Sequence, residues 1–211
     1  VFARETSRCA LTYARNNPLK YVDPDGKAVV PVLVPFRAGQ QSEMRISYVD
    51  TRLEANLQGF LGGMRSAGGD PRFTFVFRTP EEQQEQVDGG AAVVNTDGTS
   101  PHMAGLAFDI SFQKLGVSVD ELRDIAGSNG FRQLSNPSLR AKDPWHFQAT
   151  NLITRDARTG KVDGAYKALI QENQFQRAVY ETMRNRNPAG FEKLVRNPDA
   201  QLRALPVSRS Y

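Results

Sequence analysis

The sequence predicts an α+β fold: a small antiparallel sheet with flanking helices, followed by a helical C-terminal extension. Three observations carry that expectation. Leu53, Leu57, Phe60, Leu61 and Met64 recur at helical spacing. Phe73, Phe75 and Phe77 alternate with Arg72, Thr74 and Val76, the two-residue period of a strand. Beyond residue 160 the pattern is helical, with Leu169, Ile170, Val179, Tyr180 and Met183 forming one stripe. A chain of 211 residues, 39% of them hydrophobic, suits one domain with appendages and excludes a disordered chain.

Residues 1–27 are polar and rich in turn signals, Asn16-Asn17-Pro18 and Asp23-Pro24-Asp25-Gly26. The acids before Gly26 lack the glycine spacing and distal Glu of a calcium loop, so a turn is expected. Val29 to Phe36 is extended and punctuated by Pro31 and Pro35, which predicts an edge strand or a strap. It is also the longest apolar run, far short of the roughly 18 residues that span a bilayer, so no membrane span is expected. Asp50 is placed to cap a helix reaching Ala67, and Gly68-Gly69-Asp70 ends it. Thr79-Pro80-Glu81-Glu82 opens a second helix, with proline at its first position and acids in its first turn.

Gly89 to Ser100 reads as a loop, Leu106 to Phe112 as a second strand, and Val119 to Ser128 as a helix stopped by Gly130. Phe131 to Leu134 and Trp145 to Thr150 read as short strands. Asn187-Pro188 and Asn197-Pro198 each set a capping residue before proline, the start of a short helix. No internal repeat is present. The glycine pairs at 62–63, 68–69 and 89–90 fit neither a phosphate loop nor a dinucleotide fingerprint.

The net charge of +4 is unevenly spread: residues 151–211 hold 11 Lys/Arg against 6 Asp/Glu, and the first 150 hold 16 against 17. The basic tail reads as a solvated helical surface, with an anionic partner as the alternative; no nucleic-acid partner is expected. The single cysteine, Cys9, excludes an internal disulfide and a multi-thiolate metal site. The opening Val1-Phe2-Ala3-Arg4, with neither Met nor a basic start leading into an apolar run, predicts a piece cut from a longer protein.

Chemistry is concentrated around the only two histidines. His102 lies in Ser100-Pro101-His102-Met103-Ala104-Gly105-Leu106-Ala107-Phe108-Asp109, just ahead of an apolar strand that carries Asp109. His146 lies in Asp143-Pro144-Trp145-His146-Phe147, three residues after a carboxylate. Two imidazoles and a carboxylate are the ligand set of an open zinc site with water in the fourth position. An acid three residues from the last ligand can serve that water as general base. The same ligand types also make the facial triad of non-haem iron oxygenases, but there the spacing is His-x-Asp, on a larger double-sheet scaffold.

Ser100-x-His102-x-x-Gly105-x-Ala107-x-Asp109 followed by Asp143-x-x-His146 resembles the signature of the VanY/VanX-type zinc peptidases. That family includes D-alanyl-D-alanine carboxypeptidases and phage L-alanyl-D-glutamate endopeptidases. The resemblance implies His102, Asp109 and His146 as Zn2+ ligands and Asp143 as the catalytic acid. Phe77-Arg78-Thr79 with Gln83 is similar to the family's Tyr-Arg-Ser segment, which implies Arg78 in substrate contact and oxyanion stabilisation. Ser100, Gln83 and Trp145 are further substrate-binding candidates, with Trp145 expected as a wall of the pocket or core. Asp143 matches the endolysin branch, where the carboxypeptidases commonly use Glu, and the bond cleaved stays open between the two. A catalytically inactive cell-wall-binding module of the same fold is the alternative, against which the intact Asp143 counts.

A second resemblance covers Tyr13-Ala14-Arg15-Asn16-Asn17-Pro18-Leu19-Lys20-Tyr21-Val22-Asp23-Pro24-Asp25-Gly26, which is similar to the end of the Rhs/YD-repeat core. In that family a variable effector, often a toxin, follows this segment. The organisation implied is residues 1–27 as the end of the core, 28–150 as the zinc peptidase domain and 151–211 as a helical extension. The partners implied are peptidoglycan stem peptide as substrate, a cognate immunity protein, and the Rhs shell with its secretion apparatus. The place of action implied is the periplasm of target bacteria. Lys27 follows Gly26 where the family commonly has an apolar residue, so autocleavage at the junction is left open.

Overall fold

A computed structural model describes residues 29–39, 41–90 and 98–196. The Rhs-like segment Tyr13 to Gly26, Cys9, most of the loop before Ser100 and the Asn197-Pro198 start lie outside the described residues. The chain forms strand β1 (Val29–Ala38) and strand β2 (Gln41–Asp50), then a 3-10 turn (Thr51–Leu53) leading into helix α1 (Glu54–Ser66). Strand β3 (Phe73–Phe75) and helix α2 (Pro80–Asp88) follow. A 3-10 turn at Pro101–Ala104 precedes strand β4 (Ala107–Ile110), helix α3 (Val119–Ser128), helix α4 (Pro137–Lys142) and strand β5 (His146–Gln148). Helices α5 (Gly164–Arg186) and α6 (Pro188–Glu192) end the described chain.

The five strands lie in the order β2-β1-β3-β4-β5. Neighbours are antiparallel except β1 and β3, which meet in parallel at Phe36 and Phe73 because α1 carries the chain from β2 across to the far side of β1. The α+β class with flanking helices is therefore observed, with one parallel contact inside the sheet.

β1 is not an edge strand; it lies between β2 and β3. Its prolines are tolerated for a geometric reason. The Leu33 N–H donates to the Arg196 carbonyl at 2.7 Å, on the side away from β2. Alternate strand residues aim their N–H groups to the same side, so Pro31 and Pro35 lack donors only where no β2 partner waits. β2 lacked a sequence signal because its first five residues, Gln41 to Arg45, are exposed and, apart from Met44, polar, while Ser47 to Asp50 are buried on both faces. No two-residue alternation survives such a split.

β3 stops at Phe75, where its register against β4 shifts. Phe77 leaves the sheet and meets the Tyr48 ring edge-on at 5.7 Å. The strand expected over Phe131 to Leu134 reduces to one bridge between Arg132 and Gln148. α4 was unforeseen, although Asn136-Pro137 carries the same capping signal as Asn187-Pro188: the Asn136 side chain accepts from the Ser138 and Leu139 N–H groups.

One face of the sheet packs on α1 and α3, with Phe60 and Phe131 both 4.9 Å from Phe108 at the centre. The two helices approach closely because α1 presents glycine. A Cβ at Gly63 would lie 2.8 Å from Ile125 Cγ2. On the other face a second cluster joins Val29, Tyr48 and Phe77 to Tyr180 and Met183 of α5 and Phe191 of α6. That face is left open towards β4 and β5, where the polar residues gather.

Candidate active site

The 3-10 turn that presents His102 begins at Ser100-Pro101 and closes at Gly105, whose φ of 65° is left-handed. Only glycine suits that position: a Cβ there would stand 2.9 Å from the Asp50 backbone nitrogen, which donates to the Gly105 carbonyl. The chain then enters β4, where Asp109 is paired directly with His146 of β5. Residues opposed in an antiparallel ladder share a face, so the two side chains rise together beneath His102.

All three are buried. His102 Nε2 lies 3.2 Å from Asp109 Oδ1 and 3.1 Å from His146 Nδ1, which lies 3.0 Å from the same oxygen. The outer ring nitrogens are occupied. His102 Nδ1 lies 3.1 Å from the Val76 carbonyl and His146 Nε2 lies 3.0 Å from Gln148 Oε1. Both partners are acceptors, so each outer nitrogen carries the proton and each inner nitrogen is left with a lone pair. Two lone pairs and a carboxylate oxygen thus converge on one point, an arrangement that a cation satisfies. His102, Asp109 and His146 form a group that can bind a metal, and its donor set of imidazole and carboxylate with fixed outer nitrogens suits zinc.

The electrostatics of His102 and Asp109 agree with such a centre, whereas at His146 burial is outweighed by Asp109 and Gln148, which raise its pKa in the metal-free chain. Burial, joined by the neighbouring His146 and Arg78, keeps His102 below its ordinary pKa. Burial opposes ionisation of Asp109, but the two histidines outweigh it and hold the carboxyl well below its usual range. A neutral imidazole and an ionised carboxylate are ligand forms.

Asp143 caps the C-terminus of α4, its N–H donating to the Leu139 carbonyl at 3.0 Å. Its Oδ1 is buried and has no hydrogen-bond partner among the described residues. Burial, aided by the Asp109 charge, pushes its pKa up to about 6 against the pull of His146 and Arg78. A carboxyl so placed is poised to exchange a proton near neutrality.

Arg78 is buried over the Phe75 ring, 4.5 Å from its centroid. Its Nη2 donates to Asp109 Oδ2 at 3.2 Å and its Nη1 to Gln83 Oε1 at 3.3 Å. Gln83 is thus buried against the arginine instead of standing on the surface of α2. Ser100 is buried at the start of the His102 turn. Trp145, at 47% exposed, stands at the surface beside His146 and is no part of the core.

Three supporting residues had not been anticipated. Gln148 shares a strand face with His146 at a spacing of two, a pattern legible in His146-Phe147-Gln148. Asn173 and Gln174 come from α5. Gln174 Nε2 donates to the carbonyls of Arg78 and Met103, each at 2.8 Å, so one amide ties the arginine loop to the His102 turn. Asn173 Nδ2 donates to the Ala104 carbonyl at 2.8 Å and to Asp50 Oδ2 at 3.3 Å. Only a polar pair inside an apolar helix stripe hinted at them.

No protein-family model and no curated protein matches the sequence. Similar solved structures include a mutant of the vancomycin-resistance D,D-pentapeptidase VanY from a VanB-type resistance cassette in complex with Zn(II). That similarity has 22% identity and a TM-score of 0.43, covering 67% of this chain and 98% of that one. They also include the LD-carboxypeptidase LdcB, whose structure bears on peptidoglycan recognition, at 16% identity and a TM-score of 0.43, covering 83% of this chain and 81% of that one.

Proposed function

We propose that this chain is a zinc peptidase that hydrolyses the stem peptides of peptidoglycan, delivered as the effector end of an Rhs-type toxin. The observation that carries the peptidase reading is the convergence of His102, Asp109 and His146 donor atoms, together with the half-buried Asp143, whose Oδ1 has no hydrogen-bond partner among the described residues. When bound, zinc supplies a Lewis acid for the peptide carbonyl and lowers the pKa of water. The chain's own groups do the rest. Ionised Asp143 accepts the proton of the attacking water and returns it to the leaving amine. Arg78, held in place by Gln83 and Asp109, lends its charge to the developing oxyanion. Trp145, exposed beside His146, is the candidate for contact with the peptide, with Ser100 at the start of the His102 turn as a second.

Peptidoglycan as substrate rests on the Ser100 to Asp109 and Asp143 to His146 signature and its resemblance to the VanY/VanX-type zinc peptidases. The effector role rests on the Tyr13 to Gly26 segment, with an immunity protein as the partner that a producing cell requires. Among the described residues no helix is long and apolar enough to cross a membrane.

Elemental analysis of the purified chain should find one zinc per molecule, lost in His102→Ala. Mass spectrometry of digested muropeptides should then name the bond: release of terminal alanine marks a carboxypeptidase, and a cut after L-alanine an endopeptidase. Metal-free activity or unchanged muropeptides would end the reading. For the effector role, lysis of a sensitive bacterium should require an added periplasmic signal peptide and should vanish with His146→Ala. Equal toxicity from the cytoplasm refutes it.

A further inference from the structure

Asp143 ends an element with little grip on the rest of the fold. α4 buries none of its residues, and its caps are its own: the Asn136 side chain closes the N-terminus and the Asp143 N–H bonds back to Leu139. Among the described residues no hydrogen bond reaches the Asp143 carboxyl, so its place is set by the backbone that carries it. Two hydrogen bonds join residues 135–145 to the rest of the described molecule. The Ile110 N–H donates to the Trp145 carbonyl at 3.1 Å, one step beyond the paired Asp109 and His146. The other is made by the half-buried Gln133, whose Nε2 donates to the Pro144 carbonyl.

Pro144 passes this restraint to its neighbour. A proline ring fixes its own φ and crowds the backbone before it, so a pinned Pro144 peptide leaves Asp143 few conformations. Asp143 has in fact left the helical region, at φ −137° and ψ 67°. Gln133 can serve the Pro144 carbonyl with its amide only one way round, and Arg123 sets which. Arg123 Nε donates to Gln133 Oε1 at 2.9 Å, so the amide oxygen faces the guanidinium and the amide NH2 faces Pro144. Arg123 is itself held by Asp120 Oδ1 at 2.6 Å, and both belong to α3, whose Leu122 and Ala126 are buried in the core. A line of support therefore runs from a core helix to the backbone of Asp143.

We propose that Gln133 is the positioning residue of Asp143, acting through the Pro144 carbonyl. Its effect on rate rests on the peptidase reading above; its hold on the segment does not. Trp145, the single tryptophan of the chain, reports on that segment directly. Gln133→Glu keeps the acceptor that Arg123 uses and loses the donor that Pro144 needs. In the metal-free full chain this variant should give Trp145 fluorescence a larger fast-decaying anisotropy on the nanosecond scale, with the melting temperature little changed. Arg123→Leu, at an exposed position, should shift the anisotropy in the same sense and by less. In the zinc-loaded chain Gln133→Glu should lower kcat about 10²-fold, the cost of misplacing a reacting group by about 1 Å, with KM and zinc content retained. In an Asp143→Asn background the same substitution should cost no further rate, because the group it positions is already disabled. Wild-type anisotropy in both variants, or an undiminished rate loss in the Asp143→Asn background, overturns the proposal. A looser Trp145 in a chain whose wild type leaves muropeptides uncut supports the hold of Gln133 and removes the peptidase reading alone.

Discussion

Asp109 uses its two oxygens for different ends: Oδ1 faces both imidazoles, while Oδ2 takes the Arg78 guanidinium at 3.2 Å. Replacing Asp109 by Ala removes a candidate metal ligand and also strands a buried arginine. The metal-free variant should lose about 3–5 kcal/mol of stability in urea unfolding, the usual result of breaking one side of a buried pair. Asp143 behaves in the opposite sense. Its pKa rises from 3.8 in the unfolded chain to about 6 in the fold. The folded state therefore holds this proton more tightly, so the residue favours folding below pH 3.8, and that contribution is lost as pH rises through 6. Metal-free Asp143→Asn should melt above the wild type at alkaline pH, with the gap closing on acidification. The same substitution should slow hydrolysis about 10²–10⁴-fold. In the wild type, kcat/KM should fall as pH drops through 6 or below, since a cation in the centre would pull the carboxyl down.

At the scale of elements, what sequence revealed were the structures with local chemistry. α3 runs over Val119–Ser128 as expected, and α2 begins with a complete capping box between Thr79 and Glu82. The convergence of His102, Asp109 and His146 was legible because their spacing is itself the signal. β2 was not, since its burial changes halfway along the strand and only the hairpin partner explains it. The position of β1 inside the sheet was hidden for a related reason: which side of a proline needs a donor depends on neighbours distant in sequence. The contact between α1 and α3 was equally invisible, because glycines at 59 and 63 say nothing of what approaches them. Gly63→Ala should force Ile125 aside and lower stability by about 1–3 kcal/mol in thermal or denaturant unfolding, the range for overpacking.

For the molecule as a whole, α5 packs into the body that holds the candidate site, despite lying beyond the Ser100 to His146 stretch that carries the sequence resemblance. Tyr166 at its start is buried in the main cluster, and Asn173 is fully buried against Asp50 and Ala104. Gln174→Ala should reduce kcat about 10–100-fold, as loss of an outer support does, with zinc content retained and KM little changed. A merely structural loss would instead lower the melting temperature and kcat together with metal content. A chain ended at residue 160 should fail to give a cooperative melting transition.

The clasp of Gln174 on the Arg78 and Met103 carbonyls also ties the candidate site to a helix made late in synthesis. Synthesis and any threading through a pore from the N-terminus deliver His102, Asp109 and His146 long before the helix that fixes their loops. A half-emerged chain has the ligands without the frame. Under the proposed peptidase reading, competence is reached only once α5 has docked, and a chain held unfolded in transit is chemically silent.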